Sequence, residues 1–278
     1  MTTATASVTT QAPPMIARPQ RGAFHWAVSD ALTVCWRNLV AMTRQPQVLV
    51  FSTIQPIIFV IMFRYVFGGA INIPGVPHYV DYLMAGVFAQ TVVFGSVQTG
   101  VGLSEDLHKG LIERFRSLPM ARSAVLAGRT LADLVRNTFV VGIMVCVGFI
   151  VGWRVHTSIF SMLAGIGLLL LFGHSLNWLF ALVGLHASSA EAAQAIAFPI
   201  MAPLVFVSTA FVSASTMPAP LEWFAEHQPV SIVVDAVRSL TYGGQFSDPE
   251  KVLAAVLWSV AIIAICAPLA VRTYRRKA

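Results

Sequence analysis

The stretch IFSMLAGIGLLLLFGHSLNWLFALVGL, residues 159–185, contains no Asp, Glu, Lys or Arg. About twenty consecutive apolar residues allow an α-helix to cross the roughly 30 Å hydrocarbon layer of a bilayer, and similar runs recur along this chain. Hydrophobic residues make up 56% of the 278 positions and charged residues only 11%, whereas a soluble domain carries about 25% charged residues. The sequence therefore predicts an all-α polytopic membrane protein.

Six apolar runs predict six transmembrane helices, at about residues 47–67, 82–103, 134–152, 159–185, 195–215 and 251–271. The chain before them begins with residues 1–22, whose Thr, Ala and Pro content predicts a disordered cytoplasmic tail. We divide the rest into an interfacial segment at 23–45, a six-helix transmembrane domain at 46–271 and a basic cytoplasmic tail at 272–278.

The basic residues predict how the chain is oriented. Thirteen of them fall before the first span, between the second and third spans, or after the last span, and six spans place these regions on one side. The other side has four: Arg64, Arg154, Arg238 and Lys251. Because Lys and Arg collect in cytoplasmic loops, both termini are predicted to be cytoplasmic. The net charge of +6 then needs no nucleic-acid partner. The excess of Arg over Lys suggests a GC-rich bacterial source, so the predicted location is the bacterial cell (inner) membrane.

Residues 24–44 predict an amphipathic helix that lies in the cytoplasmic membrane interface. Trp26 and Trp36 are suited to anchor such a helix at the boundary between lipid and water, and Pro46 marks its end. An ordinary juxtamembrane segment remains the alternative. The apolar positions at helical spacing are Phe24, Val28, Ala31, Leu32, Cys35, Trp36, Leu39 and Met42.

Residues 213–250 are too apolar for a free external loop and predict two short helices. The first spans about 220–227, and Pro229 separates it from the second. The second has valines on one face, has Asp235 and Arg238 able to pair on the other, and stops at two consecutive glycines. A re-entrant hairpin is predicted here, since irregular backbone at membrane depth must be buried in protein or line a cavity.

No catalytic motif emerges from the sequence. The P-loop pattern G-x-x-x-x-G-K-[ST] is absent, so any ATP-driven step requires an ATPase on another chain. Polar residues within the spans offer a candidate substrate path: Gln90, Gln98, His174 and Asn177. For His174 and Asn177, one helical turn apart, an interhelical hydrogen-bonding pair is the alternative. For Gln90 and Gln98 we favour a cavity.

The stretch SEDLHKGLIERFRSLPMAR, residues 104–122, concentrates charges of both signs between two apolar runs. Leucine and phenylalanine repeat at helical spacing among those charges, and Pro119 would end the helix. A simple cytoplasmic loop needs only a few basic residues, whereas a surface that docks on a soluble partner needs apolar anchors together with charges. The pattern predicts a short cytoplasmic docking helix.

In the order of its motifs, this stretch is similar to the cytoplasmic coupling loop of ABC-2 type permeases: Glu105-Asp106, Gly110, Glu113-Arg114 and Leu118-Pro119. A second match resembles the segment before the last span of these permeases: Pro229, Asp235, Arg238 and Gly243-Gly244. The six-span layout with an N-terminal interfacial helix extends the likeness over nearly the whole chain. Within the family the chain looks most like the daunorubicin-resistance (DrrB-like) exporter branch.

The resemblance implies the permease subunit of an ATP-driven exporter that moves amphipathic drugs or lipids outward. Two permease subunits, identical or different, would pack with two P-loop ATPase subunits, which bind ATP and Mg while this chain binds no cofactor. The coupling helix, about 107–118, would dock on the ATPase through Glu105, Asp106, Leu107, Lys109, Leu111, Glu113, Arg114, Phe115 and Leu118. The outer helices would form an extracellular gate containing Pro229, Val233, Asp235, Val237 and Arg238.

Two other classes of protein remain as alternatives. A secondary transporter or channel usually needs an ionisable residue within its spans, and we assign the carboxylates, Asp133 among them, to the cytoplasmic ends. A membrane-bound enzyme would need a reactive set of residues that the sequence does not contain. The substrate stays open between an antibiotic, an envelope lipid and a polysaccharide.

Overall fold

The computed structural model describes residues 23–44, 46–69, 71, 73, 75–109 and 122–277. This part of the chain is helical with connecting turns and contains no β-strand, which confirms the all-α prediction. The helices are α1 Ala23–Thr43, α2 Pro46–Ile61, α3 Tyr79–His108, α4 Arg122–Val151, α5 Ile159–His186, α6 Ala190–Phe206, α7 Ala219–His227, α8 Pro229–Thr241 and α9 Pro249–Lys277. A π-helical turn, Met62–Val66, continues α2.

Four of these helices are long and apolar enough to cross a membrane: α3, α4 from Ser123, α5 and α9. Two shorter apolar helices, Ser52–Val66 and Ala190–Phe206, correspond to the other two predicted spans. Helix lengths and composition in the described part of the chain thus agree with a polytopic membrane protein.

Helix α3 lies at the centre of the bundle. In its most apolar segment 89% of the residues are buried inside the chain, against 17% for the corresponding segment of α9. It contacts α2, α4, α5, α6 and α8, so a movement of α3 would change its contacts with most of the other helices.

Small residues set the approach of α3 to α5. A methyl group added at Gly184 of α5 would overlap the backbone of Gly100 in α3, and one added at Gly100 would meet the carbonyl of Phe180. Farther along the same crossing, the Ser96 hydroxyl lies 3.0 Å from the carbonyl oxygen of Gly173. Glycine and serine allow close backbone approach, which is how membrane helices commonly associate.

Helix α1 packs against α4, where Gly128 leaves room for the Ala31 carbonyl and the Val34 side chain. Val34 and Cys35 are buried in this contact, whereas Leu32 and Trp36 are exposed. The helix thus occupies the predicted residues and keeps an uncovered apolar stripe. Its position in the membrane interface stays a prediction.

The fifth predicted span ends earlier than expected: α6 stops at Phe206 rather than near residue 215. The Ser208 hydroxyl donates to the carbonyl of Val205 at 2.6 Å and accepts from the backbone N–H of Ala210 at 3.1 Å. These local side-chain bonds replace helical backbone bonds, so an apolar run alone overestimated the length of the helix.

The two short helices predicted after this segment are present as α7 and α8. Gln228 separates them and caps α8, accepting a hydrogen bond from the backbone N–H of Val230 at 2.9 Å. Helix α8 ends before Gly243, whose φ of 67° lies in the left-handed region that favours glycine. Proline and glycine signals therefore located both ends of α8 correctly.

Candidate functional site

A cavity of about 410 Å³ lies between α2, α3 and α4. Its lining is mostly amide and apolar side chains: Gln47, Ser52, Gln55, Pro56, Gln90, Thr91, Phe94, Gly95, Gln98, Arg136, Asn137 and Val140. Gln90 and Gln98, which the sequence suggested for a substrate path, both line it. Their role in binding a substrate stays a prediction.

Two of the amides that line the cavity are buried without full hydrogen bonding. Among the described residues, neither amide atom of Gln90 has a hydrogen-bond partner, and the same holds for Nδ2 of Asn137. Gln90 is 3% exposed and Asn137 is 4% exposed. Buried polar groups are normally paired. These three atoms have almost no accessible surface, so a polar occupant of the cavity would pair with them only after the amides turn toward it.

His174 and Asn177, the other predicted path residues, lie outside this cavity. The Trp178 indole N–H donates to Nε2 of His174 at 3.2 Å, and Nδ2 of Asn177 donates to the carbonyl oxygen of Thr130 in α4 at 3.4 Å. Asn177 is fully buried. The two residues do not bond to each other, and Nδ1 of His174 and Oδ1 of Asn177 have no hydrogen-bond partner among the described residues. Their role, as part of a substrate path or as contacts within and between helices, stays a prediction.

Asp133 and Arg136 form a buried ion pair on α4. Nη1 of Arg136 lies 3.0 Å from Oδ1 of Asp133, off the hydrogen-bonding direction, and their side chains are 5% and 1% exposed. Oδ2 of Asp133 accepts from the Thr99 hydroxyl at 2.6 Å, and Nη2 of Arg136 donates to the Gly95 carbonyl at 2.6 Å. The pair therefore joins α4 to α3 beside the cavity.

The sequence analysis missed the role of this pair. Asp133 was assigned to the cytoplasmic end of a span, which stays a prediction. In the structure it lies about three turns inside α4 and is buried. The available signal was the spacing of an acidic and a basic residue three positions apart, which puts them on one helical face. Asp81, also missed, is buried at the start of α3, where it accepts from the backbone N–H of Arg154 at 2.9 Å.

The predicted coupling residues divide between described and undescribed parts of the chain. Leu111, Glu113, Arg114, Phe115 and Leu118 lie within residues 110–121, outside the described residues. Before that segment, Asp106 of α3 pairs with Arg129 of α4. Leu107 packs against the apolar cluster that these helices share with α5 and α9.

In the last described turn before residue 110, Glu105 and Lys109 are exposed. Lys109 pairs with Glu105 at 2.5 Å, and this hydrogen bond and charge raise the pKa of Lys109. On α1, burial lowers the pKa of Arg37, while the Asp106 carboxylate acts in the opposite direction. Charged residues of α1, α3 and α4 thus lie close together beside residues 110–121, the stretch that joins α3 to α4.

At the opposite end of the bundle, Asp235 of α8 connects several elements. Its Oδ1 accepts from Arg238 at 2.8 Å and from the Thr209 hydroxyl at 2.8 Å, and its Oδ2 lies 2.5 Å from Nζ of Lys251 in α9. The pairing of Asp235 with Arg238 that the spacing suggested is therefore present.

Arg238 is more deeply placed than the sequence suggested. It was expected on a polar face opposite the valines, but it is 1% exposed. It donates to the carbonyl oxygens of Thr209 and Tyr82 at 3.0 and 3.3 Å, and its guanidinium lies 3.6 Å from the centre of the Tyr82 ring. Hydrogen bonds and the aromatic face stabilise the buried cation.

The remaining predicted gate residues surround this network. Val233 and Val237 are buried on α8, and Pro229 is its first residue. Both faces of α8 are therefore in contact with the rest of the chain. The function of these residues as a gate stays a prediction.

Comparison with known proteins adds the family. Residues 30–242 match the family described as ABC-2 type transporter. The chain belongs to this family. It is 34% identical over 274 residues, 98% of its own length and 95% of the relative's, to the daunorubicin resistance ABC transporter permease protein DrrB1 of Streptomyces coeruleorubidus. It is 24% identical over 250 residues, 90% of this chain and 89% of the relative, to the probable doxorubicin resistance permease protein DrrC of Mycobacterium tuberculosis.

The match confirms the resemblance that the two sequence motifs suggested. Together with the apolar helices, it identifies this chain as an ABC-2 permease that is a membrane protein. Its role is that of a transport component rather than an enzyme. The transport reading of the sequence is confirmed over the alternative of a membrane-bound enzyme.

Proposed function

We propose that this ABC-2 permease exports amphipathic drugs or lipids, with the cavity between α2, α3 and α4 as part of the substrate path. The cavity itself carries the proposal, because it combines apolar walls with buried amides that have no partner among the described residues. The names of the relatives, which refer to daunorubicin and doxorubicin resistance, favour a drug over a polysaccharide as the substrate.

The proposed topology has six spans, with both termini in the cytoplasm. Helix α2 and its π-helical turn together reach about 31 Å, enough for one span, whereas α6 reaches only about 25 Å. The segment after α6 completes the fifth span in this proposal. Ser208, Thr209 and Ala210 of that segment are buried, as irregular backbone at membrane depth must be.

The energy source in this proposal is a P-loop ATPase on a separate chain, which holds ATP and Mg. Helices α3 and α4 enter and leave the 110–121 stretch, and the Asp106–Arg129 pair joins them just beside it. Closure of the ATPase would move this stretch and, through α3, the cavity. A second permease subunit, identical or different, would complete the transporter.

The proposed outer gate is α8 with its surroundings. Asp235 and Arg238 join it by hydrogen bonds to α3, to α9 and to the segment after α6. Outward release of a substrate would require these contacts to rearrange.

The test is ATP-driven drug uptake into inside-out vesicles that contain the permease and its ATPase. Gln90→Leu and Gln98→Leu are expected to change the relative uptake of daunorubicin and doxorubicin while expression holds. Gln194→Leu, a matched change at an exposed position of α6 outside the cavity, is expected to leave selectivity unchanged. His174→Leu is expected to lower yield or melting temperature only. Altered selectivity at His174 with none at Gln90 or Gln98 would contradict the proposed path.

A further inference from the structure

The charge balance of the cavity indicates what kind of group it accommodates. Of the described residues that line it, Arg136 alone carries a formal charge. Its Nη1 faces Asp133 at 3.0 Å, and its Nη2 lies 2.6 Å from the Gly95 carbonyl and 3.4 Å from Oδ1 of Asn137. The protein therefore neutralises this guanidinium and engages both of its terminal nitrogens. The described lining of the cavity therefore offers no uncompensated cation for a phosphate or a carboxylate.

The free hydrogen-bonding capacity belongs to neutral amides. Gln90 offers an acceptor oxygen and an NH₂ donor group. Asn137 offers its NH₂ group as a donor, while its amide oxygen already faces Arg136. Leaving such groups buried and unpaired is unfavourable. Rotation of the two amides toward the cavity would expose these atoms to a ligand that both donates and accepts hydrogen bonds. Such a ligand would satisfy them without bringing a charge into the membrane.

Apolar groups complete the cavity wall. Phe94, Pro56 and Val140 come from α3, α2 and α4, respectively. An apolar ring or chain attached to the polar group would pack against them and contribute through the burial of apolar surface.

We propose that this cavity binds the uncharged hydrogen-bonding headgroup of an amphiphile, of the hydroxyl, amide or sugar class, through Gln90 and Asn137, and discriminates against phosphate and quaternary ammonium headgroups. The inference rests on the proposed function in taking the cavity as part of the substrate path. It goes further by assigning the recognising atoms and the class of headgroup.

The test measures binding to the purified permease in phosphatidylcholine nanodiscs, without ATP or ATPase. Three probes share one pyrene-labelled alkyl chain and differ in the headgroup, which is glucose, phosphate or trimethylammonium. The glucoside is expected to bind about tenfold more tightly than either charged probe, because it gains hydrogen bonds without losing the hydration of a charge. Tighter or equal binding of a charged probe would overturn the proposal.

Two variants at Gln90, with a control variant at Gln194, separate an effect on ligand recognition from an effect on folding. Gln90→Leu is expected to remove the preference for the glucoside, and Gln194→Leu is expected to keep it. Gln90→Glu keeps the side chain's shape and is expected to shift preference toward trimethylammonium. Full retention of the glucoside preference in both Gln90 variants would overturn the proposal, as would the absence of saturable binding by any probe, which would indicate a cavity filled by water alone.

Displacement of the bound glucoside identifies the source of the headgroup. Competition by an uncharged anthracycline aglycone indicates a drug site, and competition by a glucosyl diacylglycerol indicates a membrane glycolipid; competition by neither would overturn the proposal. Failure of the proposed function looks different. Suppose that Gln90→Leu leaves export unchanged while the unaltered permease still prefers the glucoside in nanodiscs. The cavity would then lie outside the export path, and the proposed binding site would be retained.

Discussion

At the scale of single residues, Gly100 and Gly184 determine how closely α3 and α5 approach. A Cβ at Gly184 would overlap the Gly100 carbonyl, whereas a Cβ at Gly167 of the same helix would meet nothing within 4 Å. Gly184→Ala is therefore expected to destabilise the folded protein by about 1–3 kcal/mol, the usual range for overpacking. Thermal unfolding in detergent measures this. Gly167→Ala is the matched control, and equal melting temperatures for the two variants would contradict the tight crossing.

A second residue-scale prediction compares the two cations of Asp235. The Arg238 side chain is 2% exposed and that of Lys251 is 37% exposed. Arg238→Gln is expected to destabilise the protein by about 3 kcal/mol, the low end for breaking a buried pair, because Lys251 still faces the carboxylate. Lys251→Gln is expected to have an effect of about 1 kcal/mol or less. Chemical denaturation of both variants checks the order, and a larger loss for Lys251→Gln would contradict it.

Burial of Arg238 also marks a limit of sequence reading. Helical periodicity correctly separated the valines from Asp235 and Arg238 on α8, and polar side chains on a short outer helix are usually exposed. The helix instead packs against α3, α5, α9 and the segment after α6, so both of its faces are covered. Periodicity records one face at a time and carries no information on a second layer of protein.

At the scale of elements, polar contacts join α3 to α4 from the coupling stretch to the cavity. They are the Asp106–Arg129 pair, the bond from Thr99 to Asp133 and the bond from Arg136 to Gly95. These contacts recur about every one to two turns, so the two helices are expected to move together. The sequence did not reveal them because each partner lies on a different helix, and their pairing depends on helix register.

The Asp133–Arg136 pair provides the test of this connection. Asp133→Asn and Arg136→Gln are each expected to destabilise the protein by about 3–5 kcal/mol, because each leaves a buried charge uncompensated. The double variant is expected to lose less than the sum of the two. The exposed Glu105–Lys109 pair is the control, and Glu105→Gln is expected to cause no measurable change in melting temperature. Additive losses in the double variant would contradict the coupling of the pair.

Helix α8 carries the second element-scale prediction. Val233 and Val237 are buried, whereas Leu221 on α7 is 45% exposed. In a background without the native cysteines, Val233→Cys and Val237→Cys are expected to react slowly with a membrane-impermeant maleimide in the resting state, and Leu221→Cys quickly. Rapid and complete labelling at both valine positions would indicate a free external loop rather than a packed re-entrant helix.

At the scale of the whole molecule, composition alone predicted the helical membrane class, because long uncharged apolar runs are typical of transmembrane helices. Proline and glycine located α8 within a residue or two, since they act on the local backbone. The sequence also drew attention to Gln90 and Gln98, which line one cavity. It did not predict the end of α6, which depends on the Ser208 hydroxyl, or the neutralised Arg136, which depends on three partners.

We propose that the 104–122 stretch connects this permease to an ATPase that drives export through the cavity. The test is to purify the tagged Glu113→Ala/Arg114→Ala variant from membranes. Two quantities are measured: the P-loop ATPase recovered per permease and the drug-stimulated ATP hydrolysis. We predict a normal amount of permease in the membrane, with ATPase recovery and stimulated hydrolysis both reduced about tenfold, because charged interface residues fix docking register. A normal complex with normal drug-stimulated hydrolysis and transport would contradict the claim.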